Sequence, residues 1–260
     1  MRVVRSFAVF TILSAIGGGV VACSKKSVAP PIAESEAPVA ASASPVPKGK
    51  RRYVLEGPGE ARVGIDAPLE KFRGRTAKLS GLLDLDPTAI ASATGEIVAD
   101  LGAFETHTFG DPSKDESQTE HARNWFEIGE EVPADRREDY RRARFTIETI
   151  EKTSVASVAD APADDRGVRR VMLEIAGALR IHGRSAPKRA FVEVAFEGPP
   201  DAPSAVSFRT TAPMIASLAA HDVKPRDLTG RFLAGALEKV GKKIDDQARI
   251  EVEGRAVRTD

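Results

Sequence analysis

A strict alternation of apolar and polar residues governs the second half of the chain, and it restricts the fold more than any other feature. In "RRVMLEIAGALRIHG" the residues Val171, Leu173, Ile175, Gly177, Leu179 and Ile181 fall on one face of an extended strand. Arg170, Met172, Glu174, Ala176, Ala178, Arg180 and His182 fall on the other. "KRAFVEVAFEG" sets Ala190, Val192, Val194 and Phe196 against Arg189, Glu193 and Glu197. "DQARIEVEGRAVR" sets Ala248, Ile250, Val252 and Gly254 against Arg249, Glu251 and Glu253. A period of two with one polar face predicts antiparallel sheet wetted on one side.

Two earlier stretches follow the same rule. "TAKLSGLLDLD" directs Ala77, Leu79, Leu83 and Leu85 inward, and "RARFTIETIEK" does so with Phe145 and Ile147. The segment "HGRSAPKR" between Ile181 and Ala190 is rich in turn residues, so the strands flanking it are expected to form a hairpin. Helical periodicity is scarcer. "TEHARNWFEIGEE" predicts a short helix with Ala122, Trp125 and Phe126 on one side. "DLTGRFLAGALEKVGKK" offers Asp227 as an N-cap, then Leu233, Ala236, Leu237 and Val240 on one stripe, with Lys242 and Lys243 at its end. "APMIASLAAHDV" fits neither period cleanly. No repeat recurs at a fixed spacing, and residues 51–260 are expected to form one β-rich domain with one or two short helices.

The first 22 residues read differently. Arg2 and Arg5 precede an apolar run from Phe7 to Val21. That run is shorter than the ~20 residues a membrane-spanning helix needs, and its length fits an export signal. It ends at Val20-Val21-Ala22-Cys23, where Cys23 is the chain's single cysteine. This ending resembles a bacterial lipoprotein signal, which implies lipidation of Cys23, cleavage before it and further acylation of the new amine. Several acyl chains exceed the two signals that stable anchoring requires. Ser24 follows, as is usual for delivery to the outer membrane in that class. The bland reading is an ordinary secretory signal with a stray cysteine. Residues 23–50 are rich in Ala, Pro and Ser and carry no aromatic side chain, which predicts a disordered tether reaching roughly 30 Å.

Charge and chemistry exclude several functions. The chain carries 38 basic and 38 acidic residues, so no net charge draws it to nucleic acid. One thiol allows neither an internal disulfide nor a thiolate metal cluster. The four histidines, His107, His121, His182 and His221, do not pair at metal-binding spacing, and no nucleophile motif or phosphate-cradling loop is present. His121 is expected on a helix surface or anchoring a loop, and His182 at a strand end, making a turn hydrogen bond. The mixed-sign run "ADRREDYRRAR" is expected to be a solvated face. The reading assigns no catalytic residue, cofactor, metal or protein partner.

Several stretches in order carry a family resemblance. They are "ARVGIDAPLEKFRGRTAKLSGLLDLDP", "IVADLGAFETHTF", "TEHARNWFEI", "ARFTIETIE", "AGALRIHGRSAPKRAFVEVAFEG" and "IDDQARIEVEGRAV". Together they resemble the YceI-like family of lipocalin-like periplasmic lipid-binding proteins. The sharpest match is the Gly-x-Leu-x-Ile-x-Gly hairpin, here Gly177, Leu179, Ile181 and Gly183, with its Pro187-Lys188 turn. The chain departs from the pattern at "YVLEGPGE", where Tyr53 replaces a common Trp. It departs again in the charged insertion after the helix, and in "SLAAHDVKPRDLTGRF", which replaces an Asn-Arg segment.

The resemblance implies an antiparallel lipocalin-like β-barrel whose inner face lines an elongated pocket for an apolar lipid of polyisoprenoid or fatty-acyl type. The wall would include Leu173, Ile175, Leu179, Val192, Val194, Phe196, Ile250 and Val252, with Trp125 and Phe126 bordering the barrel. The protein would be lipid-anchored in the bacterial cell envelope, facing the periplasm from the outer membrane. The same alternating faces would equally line a filled core. In that case the chain would be a structural or interaction lipoprotein with no small-molecule ligand.

Overall fold

In a computed structural model, described for residues 45–55, 58–66, 71–224 and 247–259, the alternating segments form one antiparallel sheet closed into a barrel. Twelve strands are present among the described residues: β1 Arg51–Leu55, β2 Glu60–Asp66, β3 Lys71–Thr76, β4 Leu79–Leu85, β5 Thr94–Asp100, β6 Glu105–Thr106, β7 Arg142–Thr153, β8 Arg169–Ile181, β9 Arg184–Glu197, β10 Ala205–Thr210, β11 Met214–Ser217 and β12 Gln247–Arg258. Two helices, α1 Pro112–Trp125 and α2 Ala134–Tyr140, lie between β6 and β7. The ring runs β1-β4-β5-β7-β8-β9-β10-β12 and closes where Tyr53, Val54 and Leu55 pair with Arg258, Val257 and Ala256.

The barrel is elongated because four of its eight positions are each filled by two short strands in line. Along β12, the C-terminal half pairs with β10 and β1, and the N-terminal half pairs with β11 and β2. Next to β1 and β2 run β4 and β3, and next to those run β5 and β6. The long strands β7, β8, β9 and β12 span the whole length. At about 3.4 Å per residue, the 14 residues of β9 extend over about 45 Å. Such composite positions escape simple periodicity, since a short strand shows few alternations. Ala77, expected to face inward, sits at the bend between β3 and β4 and is exposed.

In β8, β9 and β12 the expected inward residues are buried, except Ile181 and Val252, which are half-buried. Phe145 and Ile147 point inward as expected, after which register shifts in β7 bring Ile150 into the core. The β8–β9 connection is tighter than "HGRSAPKR" suggests. Ile181 pairs with Arg184, and only His182 (φ 50°) and Gly183 (φ 72°) make the turn. Left-handed backbone at both central residues is what a two-residue hairpin of right-twisted strands requires. Pro187 lies within β9 opposite Ala178. Counting back from the closing pair, that position is not hydrogen-bonded to β8, so the missing N–H costs no ladder bond there.

The outer face is polar by pairing. Arg209–Glu193 and Arg189–Glu151 meet at 2.9 Å, and Arg255–Glu197 at 2.8 Å. Arg255 hydrogen-bonds the Glu197 carboxyl and holds it below its ordinary titration range. Each of these cross-strand pairs contributes little to stability because it is largely solvent-exposed. Apolar burial inside stabilises the barrel far more, by roughly 1.5–3 kcal/mol for each fully buried Val, Leu, Ile or Phe.

One end of the barrel is sealed. The turn at Ile90–Ser92 puts Ile90 in the core, and its N–H donates to the Ala156 carbonyl at 3.1 Å. Val158 packs beside it, its N–H donating to the Pro87 carbonyl at 2.8 Å. α1 stands against β6. Its Asp111 cap accepts from Ser113 N at 3.1 Å, and Thr119 Oγ1 accepts from Thr106 N at 2.9 Å. α2 buries no residue, in keeping with the solvated face expected of the charged run. The export signal, Cys23 and the expected helix over residues 227–243 lie outside the described residues. Among the described residues no helix is long and apolar enough to cross a membrane.

Candidate binding cavity

The barrel interior holds two apolar cavities in line. The first lies toward the sealed end, with Leu85, Ile90, Leu173, Val192, Phe196 and Val206 in its wall. The second lies toward α1, with Ala61, Phe104, Phe126, Leu179, Met214, Ile250 and His221 in its wall. Ile97, Phe145, Met214 and Val252 border both and form the partition. Their volumes are about 100 Å³ and about 90 Å³. The two lobes are small, apolar and separate. The barrel is neither filled solid nor a wide pore.

Aromatic rings seated on glycines set the width. A Cβ on Gly177 would stand 2.7 Å from Phe145 Cζ and 2.3 Å from the Thr146 carbonyl oxygen. Gly254 sits directly opposite Phe208 in register, and a Cβ there would stand 2.8 Å from that ring. Side chains at these glycines would push the rings across the lumen. At the far end of the second lobe, Phe104 meets Phe126 edge-on at 6.1 Å.

The expected wall residues separate cleanly. Leu173, Ile175, Val192, Val194 and Phe196 line the first lobe; Leu179, Ile250 and Phe126 line the second; Val252 lies in the partition. Trp125, on the same turn as Phe126 at the end of α1, borders neither lobe.

Polar side chains at the wall are mostly spoken for. Thr210 Oγ1 accepts from Val252 N at 3.0 Å, and Thr76 Oγ1 donates to the Asp100 carbonyl at 2.9 Å. Glu96 turns outward to Arg144 at 2.9 Å. His221 is different. It closes a 3₁₀ turn, Ala219–His221, after β11, is 1% exposed, and donates from Nδ1 to the Arg184 carbonyl at 2.9 Å. Its Nε2 is buried without a hydrogen-bond partner among the described residues. Burial pushes its pKa down, outweighing the Arg184 carbonyl, with the Lys188 charge lowering it further and the Ile181 carbonyl opposing. The imidazole is thus held neutral. Sequence reasoning named His221 but gave it no role, because it follows a segment of neither period.

Away from the cavity, the ring of His182 lies 4.0 Å from that of Tyr140, and its Nε2 is 2.7 Å from Glu127 Oε2. This links the hairpin turn to the α1–α2 region, where a simple turn hydrogen bond was expected. His121 is exposed on α1, as expected. Among the described residues no group of three His, Cys, Asp or Glu side chains is placed to hold a metal.

No family model and no curated protein matches the sequence. Solved structures do. A polyisoprenoid binding domain from Saccharophagus degradans, implicated in plant cell wall breakdown, superimposes with a TM-score of 0.51 at 13% identity, over 80% of this chain and 98% of that one. Looser likenesses are to BcnA of Burkholderia cenocepacia (TM-score 0.49, 17% identity, 76% and 96% covered) and to a YceI protein of Campylobacter jejuni (TM-score 0.45, 14% identity, 72% and 85% covered). The chain has the closed antiparallel barrel fold of the Saccharophagus domain, which is the architecture that its resemblance to the YceI-like family implied.

Proposed function

We propose that the barrel binds and carries an apolar long-chain lipid, of polyisoprenoid or fatty-acyl type, and performs no chemistry on it. The observation that carries this reading is the pair of aligned apolar lobes between Ile90 and His221. Each methylene moved from water into such a wall contributes roughly 0.8 kcal/mol, so a long tail binds without charged contacts. The tail would lie against Leu173, Val192, Phe196 and Val252 in the first lobe and against Leu179 and Ile250 in the second. The Saccharophagus domain, described as polyisoprenoid binding, supports the same class of ligand for this fold.

The reading includes an anchor. Lipidation at Cys23 would hold the barrel to the envelope on the tether of residues 23–50, facing the periplasm from the outer membrane. Cells grown with labelled palmitate should label the wild-type chain and not a Cys23→Ser chain. Equal labelling of the two removes the anchor.

Photocrosslinking tests the carrier reading. A diazirine-tagged polyprenol should label peptides from β8, β9 and β12 at inward positions such as Leu173, Val192 and Ile250. Labelling confined to outward residues such as Met172 and Phe191, both exposed, would overturn it and leave a structural barrel.

A further inference from the structure

The wall of the second lobe holds a polar atom that nothing among the described residues satisfies. Nε2 of His221 is buried, has no hydrogen-bond partner among the described residues, and belongs to a side chain in the cavity wall. Its protonation state follows from the other ring nitrogen. The Arg184 carbonyl can only accept, so the hydrogen on the ring sits at Nδ1. Burial keeps the ring neutral, so Nε2 presents a lone pair. An acceptor of this kind rejects other acceptors and pairs with a donor.

We propose, on the basis of the carrier reading above, that His221 holds the polar end of the ligand and that this end is a neutral hydroxyl group donating to Nε2. The lipid then lies with its hydroxyl against the Ala219–His221 turn and its tail running past Phe145 toward Ile90. A fully ionised phosphate, a carboxylate or a quinone carbonyl offers Nε2 only lone pairs and is disfavoured at this position. The rest of the wall agrees, since its other polar side chains are engaged: Thr76 with Asp100, Thr210 with Val252, and Ser217 Oγ with Ala220 N at 3.1 Å. Nε2 is covered by neighbouring wall atoms, so the hydroxyl reaches it when one side chain changes rotamer, a common adjustment on binding.

The test is a direct competition. The full chain is equilibrated with an equimolar mixture of geranylgeraniol and its methyl ether, and both adducts are read in one native mass spectrum. The ether keeps the tail and the oxygen and lacks only the donor. The proposal expects the alcohol adduct to exceed the ether adduct about five- to tenfold, the worth of one buried hydrogen bond. His221→Asn retains an amide N–H near the Nδ1 position and removes Nε2; it should lose the preference for the alcohol and bind both probes equally. Equal adducts in the wild type, or a preference that survives in His221→Asn, would overturn the hydroxyl assignment and leave the carrier reading standing. Binding of neither probe would overturn both. Should His221→Asn fail to fold, the wild-type ratio alone decides.

Discussion

Phe145 lies so close to Gly177 that a single methyl group at residue 177 would stand 2.7 Å from its ring. The two residues are next to each other on β7 and β8, where Phe145 pairs with Leu179 and Gly177 with Ile147. The ring fills the space that a side chain on Gly177 would take, and it separates the two lobes of the lumen.

Phe145→Ala should therefore merge the lobes. Removing a partly buried ring is expected to cost about 2–4 kcal/mol in urea unfolding, while the barrel gains room for a bulkier or more branched tail. Binding of a wider fluorescent lipid should rise as stability falls. Gly177→Ala should be worse for both properties, since its Cβ would also lie 2.3 Å from the Thr146 carbonyl oxygen and no rotamer relieves that contact.

Barrel closure depends on Tyr53. Its ring is fully buried, and its hydroxyl donates to the Pro203 carbonyl at 3.0 Å, joining the first strand to the loop before β10. Tyr53→Phe keeps the packing and strands a buried carbonyl, which should cost about 1–2 kcal/mol by denaturant unfolding with an unchanged m-value.

His221 should make stability depend on pH in a defined window. Burial lowers its folded-state pKa below the ordinary value of 6.5. Between those two values the unfolded chain takes up a proton that the folded chain refuses, so stability falls as pH drops below about 6.5. Lys188, the nearby positive charge, acts in the same direction. His221→Asn should flatten the dependence across this window, as read from unfolding midpoints at pH 7.5 and 5.5.

A second, more acidic step belongs to Asp100. Burial alone would raise its pKa. Arg141 outweighs that with hydrogen bonds at 2.7 and 2.9 Å, helped by the Gly102 N–H at 2.8 Å, and the net direction is down from 3.8. This contribution is complete above the unfolded value and is lost as pH falls through the lower folded value. Asp100→Asn should be less stable than wild type at neutral pH and should lose less on acidification below pH 4.

Much of this architecture was legible in the chain. Alternation in β8, β9 and β12 placed Leu173, Val192 and Ile250 on the inner face, because a half-wetted sheet imposes that pattern over long strands. The turn at His182–Gly183 was blurred by Pro187, which reads as a breaker yet fits a strand position that needs no N–H toward β8. Ala77 was misplaced because the bend between β3 and β4 resets the alternation. The lumen itself was not legible, since inward Leu and Val residues pack a core or line a tunnel equally well. What keeps it open is the seating of Phe145 and Phe208 on glycines from neighbouring strands, a relation between residues far apart in sequence. His221 was invisible as a wall residue for a similar reason: its role depends on the Arg184 carbonyl, which the fold brings to it.

The carrier account is tested most directly by the mass of the purified chain. Native mass spectrometry of protein taken from its own cells and stripped of detergent should show one long-chain lipid bound per barrel, retained at energies that remove loosely adsorbed lipid. A spectrum containing only the mass of the polypeptide, unchanged after incubation with geranylgeraniol, would contradict it.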